Sequence, residues 1–262
     1  MISDTYVIAG RSFSRLRREP GELIGFLLFP VIMIVLFAYV FGSAIALPGG
    51  GDYSSFLMPG IFMQTMALTA VQAAIRTSTD MTRGIIDRFR SMPIARAAVL
   101  TGGNLAELLL RLLGLAGMAG CALLLTNWSP HRGVAATAAG FGLLALFGLA
   151  MIWVGTFIGL AVASPAIADQ ATFSWLFPMT FLANTFVPTQ GLPFWLRPVA
   201  DWNPMSATVA GVRALFGNPS PAATHAAWPL QHPIGMSLAW SVALVAVFVP
   251  LSVWRYRKAS PR

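Results

Sequence analysis

Charge is scarce in this chain, and lysine and cysteine are nearly missing. Only 10% of the 262 residues are charged, against roughly 25% in an ordinary soluble domain, so a solvated globular surface is excluded. Lys258 is the single lysine, and Ala259 follows it. A phosphate-cradling loop needs glycines leading into Lys and then Ser or Thr, so no such loop is present here. The chain is expected to be no enzyme and to hold no cofactor of its own. Cys121 is the one cysteine and lies inside an apolar run, which leaves neither an intrachain disulfide nor a cysteine metal cluster. The three histidines, His131, His225 and His232, fall in polar stretches without HExxH spacing, so metal chemistry is not expected.

What is present is apolar. Hydrophobic residues make up 56% of the chain and mean hydropathy is +0.71, the balance of an integral membrane protein. A helical span needs about 20 apolar residues with every backbone group bonded internally. Six runs qualify: 23–46, 56–75, 99–125, 134–163, 168–187 and 234–254. The net charge of +8 does not point to nucleic acid, because the arginines cluster beside apolar runs instead of spreading over a polar face among stacking aromatics.

Those clusters predict orientation. With a cytoplasmic N-terminus, the inner segments carry Arg11, Arg15, Arg17, Arg18, Arg76, Arg83, Arg88, Arg90, Arg96, Arg255, Arg257, Lys258 and Arg262. The outer ones carry Arg132, Arg197 and Arg213, while Arg111 lies within the third run. The positive-inside rule then places both termini of a multi-pass cell-membrane protein in the cytoplasm. Trp128, Trp195, Trp202 and Trp228 collect on the outer side, where indoles suit the headgroup interface, and Trp254 on the inner one.

Outside the spans, three segments are expected to have structure. Residues 1–22 have no h-region of a secretory signal; Tyr6, Ala9, Phe13 and Leu16 share a helical face opposite Arg11, Arg15 and Arg18, a pattern for an amphipathic helix at the headgroups. The stretch 188–233 is long for a connection and carries apolar content. Short helices are expected at 192–198 and 206–216, able to re-enter the outer leaflet where protein buries them, with Asn203 before Pro204 as a turn or cap. The third segment is the island 76–98. Met81, Ile85, Phe89 and Met92 fall on one helical face and Arg83, Asp87 and Arg90 on the other, and Pro93 ends the pattern. A short apolar ridge with a basic back suits a partner's groove or, alternatively, anionic headgroups.

Within the spans, Glu107 and Arg111 stand one turn apart and can pair. An Arg alone at mid-membrane costs about 2.5–3.5 kcal/mol or more, so the pair is either structural or part of a substrate path. Phe173, Trp175, Phe177, Phe181 and Phe186 make the fifth run aromatic, suited to core packing, to lipid contact or to a path for flat lipophilic molecules. Gly155 and Gly159 permit close helix approach, and Asp169 is placed as a helix cap.

The whole pattern resembles the membrane subunit of ABC-2-type exporters. The words RGIIDRFRSMPIARAAVL at 83–100, NTFVPTQGLPFWLRPVADWNPMS at 184–206 and VRALFGNP at 212–219 resemble the daunorubicin/doxorubicin-resistance permease branch. The resemblance implies one all-α membrane domain over 1–262: six spans, an N-terminal interfacial helix, a cytoplasmic coupling helix and re-entrant helices before the last span. It implies that Arg83, Ile85, Ile86, Asp87, Arg88, Phe89, Arg90 and Met92 engage a separate ABC ATPase, which carries the ATP and Mg. It also implies a second permease copy, identical or paralogous, and export of a lipophilic drug or natural product through the bilayer. A lipid or lipid-linked glycan is the alternative cargo. A secondary transporter is a weaker alternative, because Glu107 is the one candidate buried carboxylate and proton coupling would call for more.

Overall fold

A computed structural model describes residues 53–83, 96–126, 128–185, 192–218 and 227–258, with Leu28, Val31, Ile32, Ile34, Val35, Leu36 and Tyr39. Every regular element among them is a helix: α1 Tyr53–Ala67, α2 Thr69–Thr82, α3 Arg96–Leu125, α4 Gly133–Ala161, α5 Pro165–Leu182, α6 Arg197–Asp201, α7 Pro204–Phe216, α8 Trp228–Gln231 and α9 Pro233–Lys258. The expected interfacial helix at 1–22 lies outside the described residues, as does most of the first run.

Among the described residues, four stretches are long and apolar enough to cross a membrane: Tyr53–Thr82, Leu100–Leu125, Gly133–Ala161 and Pro233–Lys258. The fifth expected run forms α5, a helix of 18 residues whose Asp169, Gln170 and two prolines dilute its apolar character.

Several boundaries move for local reasons. The second span breaks at Leu68 and then runs on to Thr82, well past residue 75. Thr79 and Thr82 satisfy their hydroxyls on the Ile75 and Thr79 carbonyls, so this polar turn remains helical, and Arg83 caps it. Met81 therefore belongs to the span and not to a separate helix beginning in the loop. At α5 the cap is Ser164, whose Oγ accepts from the Ile167 amide with Pro165 in the first turn, and not Asp169. The helix expected at 192–198 forms at Arg197–Asp201 instead. Pro198 opens it, because its missing N–H costs nothing in a first turn.

Helix α4 is the axis of the bundle, packed on α2, α9 and α7. A Cβ on Gly155 would lie 2.0 Å from the Ala70 carbonyl oxygen, and one on Gly159 2.5 Å from that of Ala74. Two backbones in contact at two successive turns leave α2 and α4 no freedom to slide. The small pair thus serves packing within this chain.

The bundle has two distinct ends. At one, Leu100, Trp153, Leu160 and Tyr256 cluster with Met81 and Val253, and Arg255 reaches the Ala161 carbonyl at 3.5 Å. The ends of α2, α4 and α9 and the start of α3 meet there, and Arg83, Arg257 and Lys258 are exposed on those helix ends, which makes this the basic end. At the other, Phe62, Phe216 and Trp128 meet edge to face, and Phe141 packs tilted against Phe62 and Phe216. Trp128 is buried, its Nε1 donating to Asn218 Oδ1 at 3.0 Å, and so is not an interfacial indole. Trp195, Trp202 and Trp228 are exposed, as is Trp254 at the basic end.

Glycine packing on α4 generates a first prediction. Gly155→Val should destabilise the protein by about 1–3 kcal/mol or more through overpacking and lower its detergent melting temperature. Gly142→Val, with nothing within 4 Å of its added Cβ, should leave it unchanged.

Candidate functional site: the polar network at the base of α2 and α3

Asn104, Glu107 and Arg111 occupy one stripe of α3 at spacings of three and four, in a helix that is apolar from Leu112 onward. The stripe faces α2 and α4. Arg111 grips Glu107 with Nε and Nη2, at 2.7 and 2.6 Å to Oε1, and Glu107 Oε2 lies 4.0 Å from Arg76 Nη1. Arg76 donates on to the Gly103 carbonyl at 2.7 Å and to Asn104 Oδ1 at 2.6 Å. Asn104 Oδ1 also accepts from Thr156 of α4 at 3.1 Å. Three helices are thus joined through one amide oxygen and one carboxylate. Hydrogen bonds to charged groups contribute roughly 1.5–3 kcal/mol each, discounted here because the Arg76 and Arg111 side chains are partly exposed.

Arg213 forms a second buried station, near the aromatic end. It is fully buried on α7, donates to the Phe56 carbonyl at 2.9 Å and the Thr185 carbonyl at 3.1 Å, and lies 3.6 Å above the Phe56 ring. Its helix is held by Asn203, which accepts from Met205 N and donates to the Met179 carbonyl at 2.7 Å. It ends at Gly217 in the left-handed region, where a side chain is disfavoured. Residues 205–213 of α7 are buried without a break, the condition under which a helix before the last span can sit beside the others. Arg213 is therefore a bolt joining α1, α7 and the end of α5, and not the outer loop charge expected from the sequence.

The model of the family described as "ABC-2 type transporter" matches residues 3–216. The chain belongs to this family. It is 29% identical to the daunorubicin resistance ABC transporter permease protein DrrB1 of Streptomyces coeruleorubidus, over 98% of this chain and 87% of that one. It is 23% identical to the probable doxorubicin resistance ABC transporter permease protein DrrC of Mycobacterium tuberculosis, over 99% and 90%. A putative transport permease of Porphyra purpurea, ycf38, is 22% identical over 83% and 75%.

Within this ABC-2 chain the sequence-derived residues divide. Glu107 and Arg111 are brought together, and with them Arg76 and Asn104, which sequence reasoning had not grouped. Arg83 ends α2, its amide donating to the Thr79 carbonyl at 3.0 Å, with an exposed side chain. Ile85, Ile86, Asp87, Arg88, Phe89, Arg90 and Met92 lie outside the described residues. Phe177 and Phe181 are about half exposed and continue a stack from Phe173, with centroids 5.3 and 4.6 Å apart. Their helix packs mainly on α2, so they form a face of their own, separate from the Glu107 network.

Removing the shared oxygen tests the network. Asn104→Ala should cost about 1–3 kcal/mol, because it removes the acceptor of Arg76 Nη2, while the Thr156 hydroxyl turns fully to the Ile152 carbonyl it already reaches at 2.8 Å. Thr156→Val should cost less, since Arg76 keeps both of its acceptors. Thermal unfolding of the purified variants checks both.

Proposed function

We propose that this chain is the permease subunit of an ATP-driven exporter that moves a lipophilic drug or natural product out of the cell. It works with a second permease copy and a separate ABC ATPase that carries ATP and Mg. The observation that carries the proposal is the clamp at the base of α2 and α3. The twelve residues 84–95 connect helix ends that Arg76 ties together through the Gly103 carbonyl and Asn104. A displacement of that loop is delivered to both helices at once, and through Thr156 to α4. This is what a lever between a motor and a membrane bundle requires.

The basic end faces the cytoplasm in this reading, as the positive-inside rule demands, and both termini lie on that side. Ile85, Phe89 and Met92 insert into the ATPase, with Arg83, Arg88 and Arg90 forming the rim and Ile86 and Asp87 completing the segment. ATP biases transport only if the closed motor binds one permease state more tightly than the other. The drug-resistance names of the relatives support a lipophilic cargo. The aromatic ladder Phe173, Phe177 and Phe181 offers it flat faces on the bundle's side, and the Glu107 network is read as transmission rather than as a path.

Co-purification with a candidate partner ABC ATPase, co-expressed with this chain, tests the docking. Ile85→Ala with Phe89→Ala, and separately Arg88→Glu, should reduce ATPase retention about tenfold or more, the loss of a buried anchor in a small interface. The melting temperature of the permease itself should stay unchanged. Full retention and full transport in every variant would contradict the proposal.

A further inference from the structure

The last span leaves one side uncovered. Helix α9 packs on α4 and α7, and its buried residues are Ser237, Ser241, Ser252 and Tyr256. On the opposite side Ala243, Val247, Leu251, Trp254 and Lys258 follow one another at spacings of four, four, three and four, and all are exposed. They form a single stripe along the helix. Lys258 Nζ lies 4.5 Å from the centre of the Trp254 ring, so a cation and an indole close the stripe at its foot. Arg257 is exposed beside them, whereas Arg255 turns inward to the Ala161 carbonyl. From Val247 to Lys258 the helix rises about 16 Å, at 1.5 Å per residue. That is close to half of the roughly 30 Å hydrocarbon thickness, the depth of one leaflet.

We propose that this face holds an anionic phospholipid from the leaflet at the basic end. Its phosphate lies against Arg257 and Lys258, and an acyl chain runs past Trp254 and Leu251 toward Val247. Charge selects this occupant. Helix α9 carries no acidic residue, so the phosphate meets two cations and no competing carboxylate on the helix. A zwitterionic lipid offers the same chains, but its own ammonium faces those cations. A second copy of the chain is the poorer occupant. Two-fold pairing through the stripe would set the same patch on both sides, bringing Arg257 and Lys258 against their own counterparts, and like charges repel. The proposal rests on α9 crossing the bilayer and not on what the protein exports.

The test uses the full chain with Cys121→Ala and with Leu251→Cys carrying a bimane fluorophore, reconstituted in phosphatidylcholine bilayers. Small amounts of phosphatidylglycerol or of phosphatidylcholine, each bearing the same nitroxide on its acyl chain, are added in turn. Quenching by each reports its occupancy of the stripe. Phosphatidylglycerol should be preferred about fivefold or more, because each surface cation attracts anionic lipid, and the preference should shrink as salt rises. Arg257→Gln with Lys258→Gln, at the exposed end of α9, should bring the ratio of the two lipids to about one. Arg132→Gln, an exposed cation at the opposite end of the bundle, should leave the ratio unchanged. A label at Leu238→Cys, exposed on the far half of α9, should show no preference. Equal quenching by the two lipids in the starting protein, a preference that survives in the double variant, or the same preference at both labels would overturn the proposal. Disulfide crosslinking of two chains through unlabelled Leu251→Cys, with little quenching by either lipid, would overturn it in favour of a second copy.

Discussion

A charge inside an apolar bundle must find its partners inside the bundle, and the architecture of this chain follows from how its arginines do so. Arg76 and Arg111 converge on Glu107 and Asn104, and Arg213 takes two backbone carbonyls and an aromatic face. Each solution joins elements distant in sequence. The first fixes α2, α3 and α4 at the basic end. The second fixes α1, α7 and the end of α5 toward the aromatic end. At the level of the first, Gly155 and Gly159 on either side of Thr156 let the α4 backbone touch that of α2, which sets the distance over which the polar bonds can form. Polar groups supply register, and close packing supplies rigidity.

That division bears on function. An ABC-2 permease has to turn events at its cytoplasmic loops into a rearrangement within the bilayer, and a soft bundle would absorb the movement. Here the segment 84–95 joins α2 and α3, the two helices that Arg76 ties together through Gly103 and Asn104. The aromatic end is held by ring stacking and by the Asn218 and Asn203 side chains.

Much of this was legible in the sequence, for identifiable reasons. Long apolar runs and helical periodicity are local properties, so α3, α4 and α9 emerged within a few residues of their expected ends. Glu107 and Arg111 were visible as a one-turn pair, and the spacing of Asn104, Glu107 and Arg111 was also there to be read as a polar stripe. Arg76 escaped because the apolar run stops at Ile75 while the helix does not: threonine hydroxyls bonded to their own helix carry it onward. Arg213 escaped because counting charges by segment treats every residue between spans as solvated. The arginine's first acceptor belongs to Phe56, 157 residues away, and no local pattern carries that information. The tell-tale was its setting, one charge within the apolar sequence 205–216.

The central claim is that the segment 84–92 is the contact through which a separate ATPase moves this bundle. Site-directed crosslinking measures it most directly. Cys121, the single native thiol, is replaced by Ala, and a photoreactive maleimide is placed on Phe89→Cys in membranes that also contain the co-expressed candidate ABC ATPase. Val242→Cys on the exposed side of α9 serves as the reference. The account predicts a permease–ATPase adduct from position 89, changed in yield by ATP, and none from position 242. Adducts with lipid alone at position 89, or equal ATPase adducts from both positions, would contradict it.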